Sequence, residues 1–128
     1  MTEKSERYRQ GMETRRQVLG DAFVAAAPVS EGALNGPFLE MATEASWGHV
    51  WSRPHWSHRE RSMVTIAILA ALGHHEELAL HIRSTVNTGC SREDIQEALM
   101  HCAIYAGVPA ANGAFKVAKA VLAEMDET

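Results

Sequence analysis

Apolar residues recur at intervals of three and four along almost the whole chain, and the residues between them are those that begin and end helices. The first such segment runs over residues 6–19 and ends at Gly20. After a loop rich in helix-breaking residues, a second segment begins at Pro37 and continues to Trp51. The side chains that form its apolar stripe are Phe38, Met41, Ala42 and Ala45.

The later helices have stronger start and stop signals. Ser57 and Glu60 match the S-x-x-E capping box, and Ser91 is a further N-cap residue. Gly73 and Gly89 are suited to the left-handed position that follows a helix. The predicted helices are therefore 57–73, 74–89, 91–107 and 111–124. No segment alternates as a strand does, so the sequence predicts an all-α protein of about six helices.

Size and composition favour a single globular domain over residues 1–128. The chain has 46% hydrophobic and 22% charged residues, which is typical of a folded soluble protein and not of a disordered one. Its longest apolar run, residues 63–72, is much shorter than the roughly 20 residues needed to span a bilayer. The polar N-terminus lacks the features of a secretory signal. We therefore expect a cytoplasmic protein with no membrane partner.

Charge and cysteine content exclude further classes of function. The net charge of −4 provides no basic field for a nucleic-acid partner. Cys90 and Cys102 are too far apart for a C-x-x-C motif, and two cysteines form no disulfide framework. We expect both thiols to be inert.

Two helices have more apolar surface than a small bundle can cover. Residues 63–72 are apolar on nearly every side, and the alanine-rich last helix lacks a broad polar face. One interpretation is that 63–72 is a central core helix. The other, equally supported by the pattern, is burial at an interface between subunits.

The segment "HHEELALHIRSTVNTG" contains a candidate proton-transfer pair. On a helical projection Leu78, Ile82 and Val86 form the core stripe, whereas His81 lies beside Glu77 on its shoulder. A half-buried imidazole with a carboxylate four residues earlier is expected to titrate near neutrality and to transfer protons. The alternative is a solvated or packing histidine with an ordinary helix partner, and the residues alone favour that alternative.

A metal site is the weaker interpretation of the same segment. The H-E-x-x-H motif is absent, and His74 and His75 lie about two turns before His81. A zinc ion would need further ligands such as His101 or Cys102. The sequence therefore predicts no metal.

The segment "WGHVWSRPHWSHRER", residues 47–61, contains all three tryptophans together with three arginines and three histidines. Arginines near the start of a helix favour a bound carboxylate, because backbone amides and the helix dipole act in the same direction. The alternative is a set of exposed arginines over packed tryptophans. The candidate residues for binding a small organic acid are Trp47, Trp51, Arg53, Arg59 and Arg61.

These two segments, together with "YRQGMETRRQVLGD", "RSMVTIAILAALG" and "TGCSREDIQEALMHCAIYAGVPAANGAFKVAKAV", resemble the carboxymuconolactone decarboxylase family over nearly the whole chain. The resemblance implies an all-helical bundle shared with the alkylhydroperoxidase D proteins, assembled into a homo-oligomeric ring, usually a homohexamer. It also implies decarboxylation without a cofactor. The peroxidase relatives carry a C-x-x-C pair on the helix that here reads "ELALHIRS", so thiol redox activity is not expected.

The resemblance makes His81 a functional residue and leaves His101 without a role. It implies a dicarboxylate lactone as the substrate, with conversion of 4-carboxymuconolactone to 3-oxoadipate enol-lactone in protocatechuate breakdown. In that reaction His81 would protonate a ring carbon or donate to the lactone oxygen, and Glu77 would orient it. The carboxylates would be held by Arg61 first and by Arg53 or Arg59 second, with Trp47 and Trp51 as an apolar wall.

Two alternatives to this activity stay open at the level of sequence. One is a related enzyme that acts on another lactone or keto acid with the same scaffold. The other is a non-catalytic oligomeric protein that binds acids derived from aromatic compounds.

Overall fold

A computed structural model describes residues 3–127, which form two compact units with the boundary between Trp56 and Ser57. These residues contain eight α-helical segments, one π-helix and no strand, which confirms the all-α class. The first unit contains α1 (Glu6–Leu19), α2 (Asp21–Ala26), α3 (Gly36–Ala42) and the π-helix (Thr43–Val50). The second contains α4 (His58–Leu72), α5 (His75–Arg83), α6 (Thr85–Thr88), α7 (Arg92–Tyr105) and α8 (Val108–Asp126).

In the first unit, α1 and the π-helix make direct backbone contact through two glycines. A Cβ atom on Gly48 would collide with the carbonyl oxygen of Arg7, and one on Gly11 would collide with that of Thr43. The helices can therefore approach this closely only because neither residue has a side chain. The hydroxyl of Ser5 accepts a hydrogen bond from the Tyr8 amide at 3.0 Å, so α1 begins where the sequence predicts.

The predicted helix over 37–51 is not α-helical throughout. The chain is α-helical only to Ala42, and the π-helix then includes the bond from the Trp51 amide to the Ser46 carbonyl at 2.8 Å. The predicted apolar stripe is not covered in α3, which has no buried residue and in which Phe38 and Met41 are both exposed. Only beyond α3 does this segment pack closely on α1. The short helix α2 was not predicted.

In the second unit, α4 begins with the predicted capping box. The Ser57 amide donates to the Glu60 carboxylate at 2.9 Å, and the Glu60 amide donates to the Ser57 hydroxyl at 3.2 Å. The helix ends at Gly73, whose φ of 71° and ψ of 24° are left-handed. The core lies between α4, α5, α7 and α8, and its fully or nearly fully buried side chains include Ile66, Ala70, Leu78, Ile82, Leu99 and Ala114.

The predicted helix over 74–89 is divided at Ser84. The Ser84 hydroxyl donates to the Leu80 carbonyl at 2.9 Å, and the Thr85 hydroxyl donates to the Ile82 carbonyl at 2.6 Å. Such bonds compete with the helical backbone pattern, and α5 ends there. The change of register makes the prediction for Val86 wrong, since its side chain is 74% exposed.

The last two helices differ from the prediction mainly at their junction. The capping box at the start of α7 joins Ser91 to Asp94, as the serine predicted. The last helix begins at Val108 and not at residue 111, and Pro109 lies in its first turn, where its missing amide hydrogen has no cost. Between residues 3 and 127 no helix is both long and apolar enough to cross a membrane.

Candidate active site

The structure places the seven predicted site residues in both units. Trp47, Trp51 and Arg53 belong to the first unit. Glu77 and His81 on α5, together with Arg59 and Arg61 in the first turns of α4, belong to the second.

In the first unit, the two tryptophans form a ring pair. The ring centroids of Trp47 and Trp51 are 5.1 Å apart and the planes are inclined by 35°. The Ser52 hydroxyl donates to the Trp47 carbonyl at 2.6 Å, and its oxygen lies 2.8 Å from the Thr14 hydroxyl on α1. These bonds hold the end of the π-helix, while Arg53 follows it as an exposed residue. The sequence missed the π-helix, which contains Trp47 and ends just before Trp51.

In the second unit, His81 is half-buried on α5 beside two fully buried neighbours. Leu78 and Ile82 are inaccessible to solvent, and desolvation by burial lowers the pKa of His81 to about 4. The expectation that this imidazole titrates near neutrality is therefore wrong. Tertiary packing removes the water that would have solvated a histidine at the edge of the apolar stripe. Glu77, four residues earlier, is exposed.

The low pKa determines which chemistry His81 can perform in the free protein. A neutral imidazole has one N–H donor and one nitrogen acceptor, and the cationic acid is scarce at pH 7. Such a ring is suited to donating a hydrogen bond to an oxygen on which negative charge develops.

A second histidine lies at the start of α4. Burial is the main cause that lowers the pKa of His58, and the positive charge of Arg61 lowers it further. The two residues are three apart and therefore lie on one side of the helix. Arg61 is half-buried and supplies positive charge at the end of α4 where the helix dipole also favours an anion. His58 was not among the predicted site residues, although its spacing of three from Arg61 is visible in the sequence.

Helix geometry relates Arg61 to His81. The short connection through Gly73 and His74 makes α4 and α5 antiparallel neighbours that pack together. At a helical rise of about 1.5 Å per residue, Arg61 lies about 7 Å further from the connection than His81. The two residues are therefore more than one helical turn apart along this pair of helices.

Arg59 has a defined partner within the protein. Its Nε donates to one carboxylate oxygen of Asp94 at 2.8 Å, and its Nη2 donates to the other at 2.7 Å. The hydrogen bond from Arg59 is the main cause that lowers the pKa of Asp94. This bidentate pair occupies one edge of the guanidinium group.

The remaining histidines considered as metal ligands occupy separate positions. A Cβ built on Gly113 would lie 3.3 Å from the ring of His75, so that ring packs against α8. His101 stacks on Tyr105 with ring centroids 4.9 Å apart, and His74 precedes α5. Residues 3–127 contain no group of three or more side chains placed to share a metal ion.

The lowered pKa of His81 predicts a dependence of stability on pH. Between pH 6.5 and about pH 4 the unfolded chain binds more protons at this residue, so the free energy of unfolding falls as the pH is lowered. The loss is about 2 kcal/mol, below the full value of the shift because the ring keeps some solvent contact. The free energy of unfolding, measured by denaturant titration at several pH values in this range, should therefore have a different slope against pH in wild type and in His81→Asn. His101→Asn, at an exposed residue, is the control. Equal slopes for wild type and His81→Asn would contradict the burial argument.

Comparisons with known proteins identify the family of this chain. Residues 36–120 match the model of the carboxymuconolactone decarboxylase family. The chain is 39% identical over 120 residues to the 4-carboxymuconolactone decarboxylase of Acinetobacter baylyi, which covers 94% of this chain and 90% of that protein. It is 32% identical over 118 residues to the nitrosuccinic acid decarboxylase of Metarhizium robertsii, which covers 92% of this chain and 82% of the relative. The chain therefore belongs to the carboxymuconolactone decarboxylase family.

Proposed function

We propose that this protein decarboxylates 4-carboxymuconolactone to 3-oxoadipate enol-lactone, without a cofactor, in the breakdown of protocatechuate. The observation that carries the proposal is the 39% identity to the Acinetobacter baylyi protein of that name, over 94% of this chain. A neutral imidazole and an arginine on neighbouring helices are compatible with the chemistry.

The reaction breaks one carbon–carbon bond and forms one carbon–hydrogen bond. The carboxylate on the ring carbon leaves as CO2, and its electron pair moves through the ring double bond onto the lactone carbonyl oxygen. The resulting dienolate then takes a proton on a ring carbon to give the enol-lactone. The barrier depends on how well the protein stabilises the negative charge that develops on oxygen.

Within the second unit, we assign the stabilising hydrogen bond to His81. Its neutral ring can donate an N–H to the developing oxyanion, and this role suits the low pKa better than that of a cationic acid. Solvent then supplies the proton on carbon. Glu77 orients the imidazole, and Arg61 binds a carboxylate of the substrate. Substrate contacts by Trp47, Trp51 and Arg53, and the cytoplasmic location, stay predictions.

A second candidate is decarboxylation of a different dicarboxylate. The Metarhizium robertsii relative is named for nitrosuccinic acid, and a nitro group can also accept the electron pair left by CO2. Such a substrate would need the same two groups in the protein. One is a cation that binds the carboxylate retained in the product, and the other is a hydrogen-bond donor to the atom on which negative charge develops.

One assay separates the candidates. The purified protein is mixed with 4-carboxymuconolactone, and CO2 release and enol-lactone formation are followed. Turnover of the lactone supports the main proposal. Binding of the lactone without turnover, measured by calorimetry, would indicate a binding protein instead. Turnover of nitrosuccinate alone would favour the second candidate.

We also propose that the protein assembles as a homo-oligomeric ring of six subunits, the number that the resemblance to the family implies. One side of α4 carries apolar side chains four residues apart that remain exposed in the single chain, with Val64, Ile68 and Leu72 exposed by 39%, 51% and 61%. Such a stripe is typical of a surface that a partner covers. Size-exclusion chromatography with light scattering should give several times 14.0 kDa, and Ile68→Glu should shift the protein to smaller species. A wild-type monomer at micromolar concentration would contradict the assembly.

A further inference from the structure

Asp94 connects the beginnings of two helices. Its carboxylate accepts the Ser91 amide at 3.0 Å, and its own amide donates to the Ser91 hydroxyl at 3.0 Å, which caps α7. The same carboxylate accepts both hydrogen bonds from the Arg59 side chain on α4. The side chain of Asp94 is only 14% exposed, compared with 51% for Arg59. The first turn of α4 is therefore attached to the first turn of α7.

The backbone of Arg59 is held as well. The thiol of Cys90 donates to the Arg59 carbonyl oxygen, with 3.4 Å between sulfur and oxygen. Cys90 is buried, and burial is the main cause that raises the pKa of its thiol, so the sulfur keeps the proton that makes this bond. Arg59 thus has one contact through its side chain and another through its main chain, both to the segment that begins α7.

The position of Arg59 in the sequence gives these contacts a consequence for the site. Arg59 lies between His58 and Arg61 in the first turn of α4. An error of about 1 Å in the placement of a binding group can cost a factor of up to roughly 100 in rate or binding. The Arg59–Asp94 pair is bidentate, and two parallel hydrogen bonds fix the orientation of the guanidinium group as well as its position.

We propose that Asp94 is a positioning residue. Through Arg59 it holds the first turn of α4 so that Arg61 meets the substrate carboxylate, and Arg59 itself does not bind substrate. The inference rests on the proposed function and assigns Arg59 a different role from the one that its charge alone predicts.

Kinetics of Arg59→Met, Asp94→Asn and the double variant distinguish positioning from binding. If the pair positions α4, both single variants raise KM by about tenfold with little change in kcat, and the double variant is no worse than either. If Arg59 binds substrate, Asp94→Asn releases its guanidinium group and lowers KM, whereas Arg59→Met raises it. A lowered KM in Asp94→Asn, or an unchanged KM in both single variants, overturns the proposal.

Arg92→Gln is the matched control. It removes another arginine–aspartate pair at the start of the same helix, Arg92 with Asp126, and leaves Arg59 and Asp94 in place. Its KM is expected to equal that of wild type. A rise in KM as large as in Asp94→Asn would mean that any loss of an ion pair at this end of α7 has the same effect, and would overturn the specific role of Asp94.

A readout without substrate separates this inference from the proposed function. In a Cys102→Ser background, the rate at which Ellman's reagent modifies Cys90 reports how firmly the Arg59 backbone covers the thiol. The rate should rise severalfold in Arg59→Met and Asp94→Asn and stay unchanged in Arg92→Gln. If wild type fails to turn over the lactone, the proposed function fails, while faster thiol modification still supports the attachment of α4. An unchanged rate of Cys90 modification in both variants overturns the proposed attachment of α4.

Discussion

Replacing His81 with alanine is expected to lower kcat by roughly 10²–10³-fold, the usual cost of removing a donor to a developing oxyanion. The variant should fold and bind the dicarboxylate with nearly the wild-type KM, because Arg61 on α4 is unchanged. Steady-state kinetics with the lactone, after circular dichroism has verified folding, measure both values. Wild-type kcat in folded His81→Ala would show that the donor is another group.

Three further measurements define how His81 works. Glu77→Gln should lose less activity than His81→Ala. Glu77 only orients the imidazole, and the imidazole itself is still present in this variant. His101→Ala, on an exposed ring stacked against Tyr105, should retain wild-type kcat.

If the neutral ring of His81 is the working form, kcat should not decline between pH 6.5 and pH 8, whereas a cationic acid would lose activity as the pH rises through its pKa.

Replacing Gly48 with alanine is expected to destabilise the first unit by about 2–3 kcal/mol, a typical cost of adding an atom where the packing leaves no room. The new methyl group would meet the Arg7 carbonyl oxygen and lie 2.9 Å from the Arg7 Cγ atom, so α1 and the π-helix must move apart. The measurement is a denaturant titration followed by circular dichroism and tryptophan fluorescence, since Trp47 and Trp51 lie beside the contact.

Gly36→Ala is the control for this substitution. A Cβ atom at Gly36 would have no neighbouring atom within 4 Å, and the residue lies at the start of α3. The same chemical change there should leave stability unchanged or raise it slightly, because alanine loses less backbone entropy than glycine on folding. A Gly48→Ala protein as stable as Gly36→Ala would show that the helices do not make this close contact.

Local signals were sufficient for much of the fold. A capping box is a pair of hydrogen bonds between residues three apart, so Ser57 with Glu60 and the serine at 91 could be recognised from the chain alone. The start and end of α1 follow from the same kind of local chemistry. The interval of apolar residues identified the helical class, although it predicted burial for Val86, which is exposed.

The limits of the periodicity argument have a physical cause. Helical periodicity assumes one continuous α-helix, and the error at Val86 occurs where that assumption fails. The segment after Ala42 becomes a π-helix, and the segment after Ile82 is interrupted by hydroxyl groups that bond to the preceding turn. Each interruption changes the direction in which later side chains point.

The sequence by itself determined the all-α class, most helix boundaries, the resemblance to a decarboxylase family and the choice of His81 as the residue to test. Only the tertiary structure decided the state and partners of the site residues. The pKa of His81 depends on desolvation by its packed surroundings, Arg59 meets a carboxylate 35 residues away, and Gly48 meets a carbonyl 41 residues away. Burial and charge pairing between distant residues depend on how helices pack, and no local pattern of residues encodes that.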